Sequence, residues 1–256
     1  MIDFRELSEV YRLTATDFGT LVTIENRLII HFVNMPLTKK ENDLLVRFLH
    51  NLRKEYTIPV IQLTWKQWED QHDFVVNILR AKLGQVERIH GRKVIVRELD
   101  IETATDFVNV NHLQGATLFD SALGLFGNER LLAVALFGKP RQMVRDFDES
   151  YVSGELIRFC SARGIRVYGG LDKLLKASAR HFNLRDIMTY SDYNISDGMV
   201  YQKLGFEKRG ELLPMAFEAS RGGWKRTRKP DENKTYYWNS GSEKYVLPIS
   251  VSGFQK

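Results

Sequence analysis

Between residues 187 and 206 the chain passes from a strand through a short helix into another strand, which narrows the choice of fold more than any other stretch. Ile187–Ser191 reads as a strand. In Asn194–Phe206, the residues Met199, Val200 and Leu204 fall at helical spacing, Gly205 can take the left-handed backbone that ends a helix, and Phe206 enters the next strand. Strand, helix and strand in so few residues belong to an α/β or α+β sheet domain. Tyr201, on that helix, is a candidate proton donor. As a phenol on an otherwise apolar helix it reads equally well as a core residue with one satisfied hydroxyl.

With 256 residues and 43% hydrophobic content, the chain can bury two modest cores, and two domains are expected. The sequence has no apolar run of about 18 residues, and MIDFRELSEV lacks the charged-then-apolar pattern of a signal peptide. A soluble, cytoplasmic protein without membrane partners is therefore expected. The single cysteine, Cys160, excludes an internal disulfide framework and a cysteine-based zinc site, and its setting in an apolar strand reads as a buried, inert thiol. A net charge of +5 and a pI near 9.2 suit a nucleic-acid partner, with the clustering of the charges mattering more than their sum. Oligomeric state leaves no trace, since no sustained heptad appears.

Residues 1–90 read as a small α/β domain. Strands are expected at Gly19–Ile24, Arg27–Val33 and Pro59–Leu63, with helices at Lys39–Glu55 and near Gln67–Leu83. The first helix carries Leu44, Leu45, Phe48, Leu49 and Leu52 on one stripe. A turn region at Gly84–Gly91 places the boundary near residue 90.

Residues 91–256 read as a mixed-sheet domain. After the strand Lys93–Leu99 comes the helix Ile101–Asn111, then a hairpin of Leu123–Phe126 and Leu131–Phe137 about the turn Gly127–Arg130. The strand Glu155–Cys160 follows, with Leu156, Arg158 and Cys160 expected on one face. Arg158 is the odd residue there and needs a partner, either an acidic side chain or a ligand phosphate. Gly169-Gly170 then precedes a helix with Leu171, Leu174, Leu175, Ser178 and Phe182 on one stripe. Paired glycines between strand and helix free N–H groups at a helix start, where anions are favoured, or else simply reverse the chain. The stretch Arg221–Lys234 reads as a loop holding Arg221, Lys225, Arg226, Arg228, Lys229 and Lys234. With Trp224 beside them, these cations suit phosphates and a stacked base.

In order and in motif, residues 95–250 resemble the GNAT superfamily of acyltransferases. Arg166-Val167-Tyr168-Gly169-Gly170-Leu171 sits where that superfamily carries Arg/Gln-x-x-Gly-x-Gly/Ala, and Tyr201-x-Lys203-x-Gly205-Phe206 resembles its Tyr-x-Lys-x-Gly-Phe ending. Wording such as Asn111-His112-Leu113-Gln114-Gly115, Glu155–Cys160 and Gly169–Leu174 is closest to a phage-associated branch related to the Mom DNA-modification enzyme. The resemblance implies a transferase that modifies an amine of a DNA base by acyl or carbamoyl-type transfer, in a phage-infected or bacterial cytoplasm. It implies an acyl donor such as acetyl-coenzyme A held by Arg166, Gly169, Gly170 and Lys173. The bulk of Leu171 counts against coenzyme A, and no metal is expected. Acyl transfer needs a neutral amine and an acid for the leaving group. Candidates are His112 as base, Asp192 at a strand end and Tyr201 as acid, with Asn111, Gln114, Arg158, Trp224, Arg226 and Arg228 contacting the substrate. Plainer roles stand beside these: local hydrogen bonding for His112 and helix capping for Asp192.

The first half resembles a Vsr-like nuclease of the PD-(D/E)xK type over Thr16–Asn34 and Val60–Asp70. Asp17 is one candidate carboxylate, but His31 stands where glutamate is wanted, so a degenerate domain serving as a DNA-binding platform is expected. Two alternatives remain: a non-catalytic DNA-binding protein, and an acyltransferase for a small-molecule or protein amine.

Overall fold

The computed structural model describes residues 4–145, 148–220 and 223–249. They pack as two compact units. The first holds the chain up to Leu83 together with Ser191–Met199 and Gly210–Glu243; the second holds Gly84–Tyr190, Val200–Arg209 and the chain from Lys244. This differs from the single cut expected near residue 90. The reason lies in specific bonds: Gln62 N–H donates to the Asn194 carbonyl (2.7 Å), the Gln62 amide donates to Ser240 Oγ (2.8 Å), and the Trp238 indole donates to the Leu37 carbonyl (2.9 Å). These tie two segments from late in the sequence to early strands, and sequence proximity gives no sign of it.

The first unit opens with an antiparallel run, β1 (Tyr11–Thr16), β2 (Gly19–Ile24) and β3 (Leu28–Val33). Helix α1 (Lys39–Glu55) crosses to β4 (Val60–Thr64), which is parallel to β3. Strand β3 is buried along its whole length, because both sheet faces are covered. On one face α1 sets Leu49 and Leu52 against Ile29 and Val60. The other holds Phe4, Phe32 and Trp68, with Phe32 stacked on Trp65 at 4.1 Å between centroids. Thr38 and Glu41 close a reciprocal capping box at the start of α1, which fixes where the helix begins. Of the expected apolar stripe, Leu45, Leu49 and Leu52 are buried, while Leu44 faces solvent. The expected second helix is two, α2 (Trp65–Asp70) and α3 (His72–Leu83).

In the second unit, β5 (Glu87–His90) lies where a turn region was expected; a 3-10 turn, Gly91–Lys93, follows it. Next come β6 (Ile95–Leu99), α4 (Ile101–Asn111), β7 (Ser121–Gly127) and β8 (Arg130–Phe137). Asn128 and Glu129 have positive φ in the β7–β8 turn, the conformation that a tight hairpin demands. Strands β9 (Arg141–Arg145) and β10 (Asp148–Ser161) precede β11 (Ile165–Tyr168), helix α5 (Gly170–His181) and β12 (Asp186–Asp192). Helix α6 (Met199–Lys203) and β13 (Glu207–Leu212) follow. Strands β14 (Ala216–Ser220), β15 (Gly223–Thr227) and β16 (Tyr237–Trp238) form a separate three-stranded sheet of the first unit, and β17 (Ser242–Pro248) returns to the large sheet.

The large mixed sheet has the order β13-β17-β12-β10-β8-β7-β6, with β9 on β10. Helix α5 covers one face, over a core of Leu125, Ala133, Phe137, Leu156, Leu174 and Ile187. Helix α4 covers the other, where Ala104 and Val108 pack with Val134, Leu136 and Cys160. Burial pushes the Cys160 thiol up to about 12, as an inert cysteine requires. Among the described residues no helix is long and apolar enough to cross a membrane.

The basic stretch expected as a loop is partly strand. β15 pairs antiparallel with β14, setting Lys225 opposite Glu218 and Arg226 opposite Phe217.

Candidate active site

Strands β10 and β12 run parallel only from Ser153–Asp186 to Leu156–Thr189. Beyond that point β10 continues against β8 alone, after a register irregularity between Leu156 and Arg158. The two central strands therefore part into a fork. An extra residue in one strand also reverses its inward and outward alternation. Leu156 and Phe159 belong to the α5-side core, while Cys160 belongs to the α4-side core. Leu156 and Cys160 thus lie on opposite faces, contrary to the simple alternation expected, and Arg158 shares the α4 face with Cys160.

At the fork the Thr189 hydroxyl donates to the Leu156 carbonyl (2.9 Å), closing the last rung of the pairing. The Tyr201 hydroxyl hydrogen-bonds to Thr189. The Tyr201 ring sits edge-on to Phe206 (5.3 Å) and tilted against Tyr245 (5.6 Å). Burial holds its phenol above the ordinary tyrosine range, so it is protonated at neutral pH. Helix α6 is shorter than expected, because the chain before it is occupied by turns: Asp192 Oδ1 accepts the Asn194 N–H (2.9 Å) and Asp197 Oδ1 accepts the Met199 N–H (3.2 Å). Met199 and Val200 face solvent, Phe206 is buried, and Gly205 has φ +89°, ending the helix as expected. The signal that sequence reasoning passed over is Thr189, a hydroxyl on the strand entering the fork.

On the α4 side, His112 is the C-cap of its helix. Its Nδ1 accepts the Gln114 N–H at 3.2 Å, so in the neutral ring Nε2 carries the proton. Burial, and then the nearby positive charge of Arg158, lower its pKa to about 4. At neutral pH this imidazole is uncharged, with Nδ1 taken by the Gln114 N–H and the proton on Nε2. Asn111 is occupied at both ends of its amide: Nδ2 donates to the Phe107 carbonyl (2.8 Å) and Oδ1 accepts the Arg163 N–H (2.9 Å). It anchors the turn after β10. Gln114 is exposed, and Arg158 Nη1 donates to the Ile157 carbonyl (3.0 Å).

At the start of α5, Gly169 has φ +72°, and a Cβ there would meet open space. At Gly170 a Cβ would lie 2.6 Å from Leu125 Cδ1, so this glycine lets the helix press onto β7. Leu171 is buried in the α5-side core, so its bulk points inward and does not obstruct the free N–H groups of the first turn. This removes the expected objection to a phosphate there. Arg166 is exposed, with its guanidinium 5.4 Å from the Tyr168 ring. Lys173 donates to the carbonyls of Gly91 (3.2 Å) and Val94 (2.5 Å), so its ammonium holds the 3-10 turn.

Asp192 belongs to the first unit, where its Oδ1 accepts the Asn194 N–H. Arg226 and Arg228 are exposed, while the side chain of Trp224 and the whole of Arg221 lie outside the described residues. In the first unit Asp17 is exposed. His31 is fully buried, with Nε2 3.3 Å from Thr16 Oγ1; burial lowers its pKa to about 4, opposed by a hydrogen bond with Gln62.

Two neutral imidazoles, His31 buried and His112 half-buried, make stability pH-dependent in a fixed direction. An unfolded histidine titrates near 6.5, so between about 6.5 and 4 the unfolded chain binds protons that the native one refuses. Stability is expected to fall as pH drops through that window, by up to about 3 kcal/mol for His31. Urea unfolding at pH 7 and pH 4.5 checks this: His31→Asn should flatten the pH slope, and an unchanged slope would contradict it.

No family model and no curated protein matches the sequence. Among solved structures, the chain is similar to a Bacillus subtilis acetyltransferase in complex with CoA (13% identity, 62% of this chain and 100% of that one, TM-score 0.41). It is also similar to a ribosomal-protein alanine N-acetyltransferase from Escherichia coli (12%, 64% and 98%, 0.41). A third is a dodecameric spermidine N-acetyltransferase from Vibrio cholerae (12%, 64% and 99%, 0.43).

Proposed function

We propose that the second unit is a GNAT-like transferase that moves an acyl group from a coenzyme A-type thioester to an amine. The observation that carries this is the strand fork, with the Tyr201–Thr189–Leu156 hydrogen-bond chain at its mouth and an unobstructed helix start at Gly169-Gly170. The hairpin, strand, Gly-Gly helix, strand and short-helix order that the resemblance implies supports the same reading.

The donor supplies an activated carbonyl carbon bonded to sulfur. The first-turn N–H groups of α5, with Gly169 open above them, would bind its phosphates. The amine nitrogen forms the new C–N bond and the C–S bond breaks; Tyr201 gives its proton to the departing sulfur and is reprotonated, through solvent, by the proton that the nitrogen sheds, leaving an amide and a free thiol. Tyr201 is protonated at neutral pH and its ring is held by Phe206 and Tyr245, so the acid is present and oriented before reaction. His112 Nε2–H serves as a donor on the α4 side, beside Arg158. A site whose histidine donates suits an acceptor that is already neutral at pH 7, as an exocyclic base amine is. The exposed cations Lys225, Arg226, Arg228 and Lys229 support DNA as the carrier of that amine.

The first unit is read as a nuclease-like platform without nuclease chemistry. A buried imidazole that stays neutral occupies the place where a metal-binding carboxylate is wanted. Mass spectrometry of nucleosides from DNA co-expressed with the protein tests the acceptor. A mass shift that vanishes in Tyr201→Phe is expected. DNA left unmodified, with salt-sensitive DNA binding retained, would instead support a non-catalytic DNA-binding protein. Activity on a small amine that survives reversal of Lys225 and Arg226 would shift the acceptor away from DNA.

A further inference from the structure

Strand β1 forms one edge of the four-stranded sheet in the first unit. The opposite edge, β4, is closed by its own unit: the Val60 carbonyl accepts from Arg53 Nη2 (3.0 Å), and the Gln62 N–H donates to the Asn194 carbonyl (2.7 Å). On β1 one set of backbone groups is left over. The Glu25 N–H donates to the Val10 carbonyl, and on the far side of β2 the Asn34 N–H donates to the Phe18 carbonyl. Bonds in an antiparallel ladder alternate along the strand, so Val10, Arg12, Thr14 and Thr16 turn their N–H and C=O groups to β2. Tyr11, Leu13 and Ala15 turn theirs outward, where no backbone partner stands among the described residues.

Exposed edges are ordinarily guarded by lysine, proline or a bulge. Strand β1, with the sequence YRLTAT, has none of these, and its register with β2 is continuous. Arg12, Leu13, Thr14 and Ala15 are exposed, and Leu13, at 50%, is a large apolar side chain in the open. By alternation Leu13 shares a sheet face with Tyr11, whose ring is edge-on to Phe4 at 5.6 Å. The aromatic face of the sheet therefore runs out to this edge and stops at Leu13.

We infer that β1 is a dimerisation edge, on which β1 of a second copy adds antiparallel to make one continuous sheet. The register follows from which groups are free. Outward residues must oppose outward residues, and the alignment that uses all of them sets Leu13 against Leu13, Tyr11 against Ala15 and Arg12 against Thr14, about a two-fold axis at Leu13. Every opposed outward pair then exchanges two backbone bonds. Sliding the strands by two residues carries Tyr11 or Ala15 past the end of the other strand. One of those slips also sets Arg12 against Arg12, a like-charge contact. In the full register no like charges oppose each other, and the paired Leu13 side chains join the Phe4-side faces of both sheets. With β4 closed, addition stops at two copies.

Sedimentation velocity of the full chain from about 1 to 100 μM tests this, since so short an edge lies at the small end of protein interfaces and suits weak association. A monomer–dimer equilibrium is expected in that range. Leu13→Lys sets two ammonium groups against each other, and Ala15→Pro removes an outward N–H but no bond to β2; each should weaken association by about tenfold or more. Thermal melting checks that both variants keep the fold. A cross-link reads the register independently of stability. Directly opposed residues of a bonded pair have Cα atoms about 5.5 Å apart, within disulfide reach. The native Cys160 is buried and does not compete. Leu13→Cys should therefore form a disulfide-linked dimer under mild oxidation, several-fold faster than Thr14→Cys, which this register sets against Arg12. Three results would each overturn the inference: a protein that stays monomeric up to about 100 μM, a dimer that both substitutions leave intact, or cross-linking through Thr14→Cys as fast as through Leu13→Cys.

Discussion

Tyr201→Phe is expected to lower kcat for acyl transfer by about 10²-fold or more, with KM nearly unchanged, because positioned proton transfer contributes about 10²–10⁴-fold. Phenylalanine keeps the ring between Phe206 and Tyr245. It loses the hydrogen bond to Thr189, at a cost of about 1 kcal/mol in stability. A loss of rate far larger than the loss of stability separates an acid from a packing residue. The wild-type rate should also stay free of any phenol deprotonation up to the ordinary tyrosine range and beyond, since burial raises this pKa. Steady-state kinetics with an amine acceptor, over pH, reads both effects. Wild-type kcat in the phenylalanine variant would leave Tyr201 as core alone.

The largest effect on stability is expected at Gly19. Its φ of +150° is one that L side chains rarely adopt, and an added Cβ would stand 1.9 Å from the Phe32 carbonyl oxygen. Backbone oxygen in the middle of a sheet cannot swing aside, so β2 and β3 would have to separate. Gly19→Ala should destabilise the first unit by about 3–5 kcal/mol, a large share of a domain's total. Gly164→Ala is the matched control. It has φ +72° and nothing within 4 Å of the added atom, so only backbone strain of about 1–2 kcal/mol remains. Urea denaturation of the two variants measures the difference, and equal losses would contradict the packing account.

Local order was legible in the sequence, whereas long-range pairing was not. Lys39–Glu55 and Ile101–Asn111 have the bounds expected of them, because periodicity and end signals are written in neighbouring residues. Strand β11 was missed because Ile165–Tyr168 is short and its partner, β5, lies far away in sequence. Residues 191–199 and 210–243 join the first unit through bonds to Gln62 and Leu37, which no local pattern encodes. At the candidate site, the short helix singles out Tyr201 and the glycine pair singles out Gly169. The roles of His112 and Asn111 depended on which atoms their neighbours occupy. The inward turn of Leu171 depended on how α5 packs, so its bulk was weighed in the wrong place. Thr189, which links Tyr201 to the fork, was hidden because one hydroxyl in a strand gives no signal until a partner stands opposite.

The proposed transfer requires an acyl donor held at the start of α5, with its reactive end at the fork. Titration of ¹⁵N-labelled protein with acetyl-coenzyme A, followed by amide chemical shifts, tests that claim without any acceptor. Saturable shifts are expected at Gly169, Gly170 and Leu171, together with Ile157–Phe159 beside the fork. If those amides stay still, or the shifts fall elsewhere, the proposed donor site is wrong.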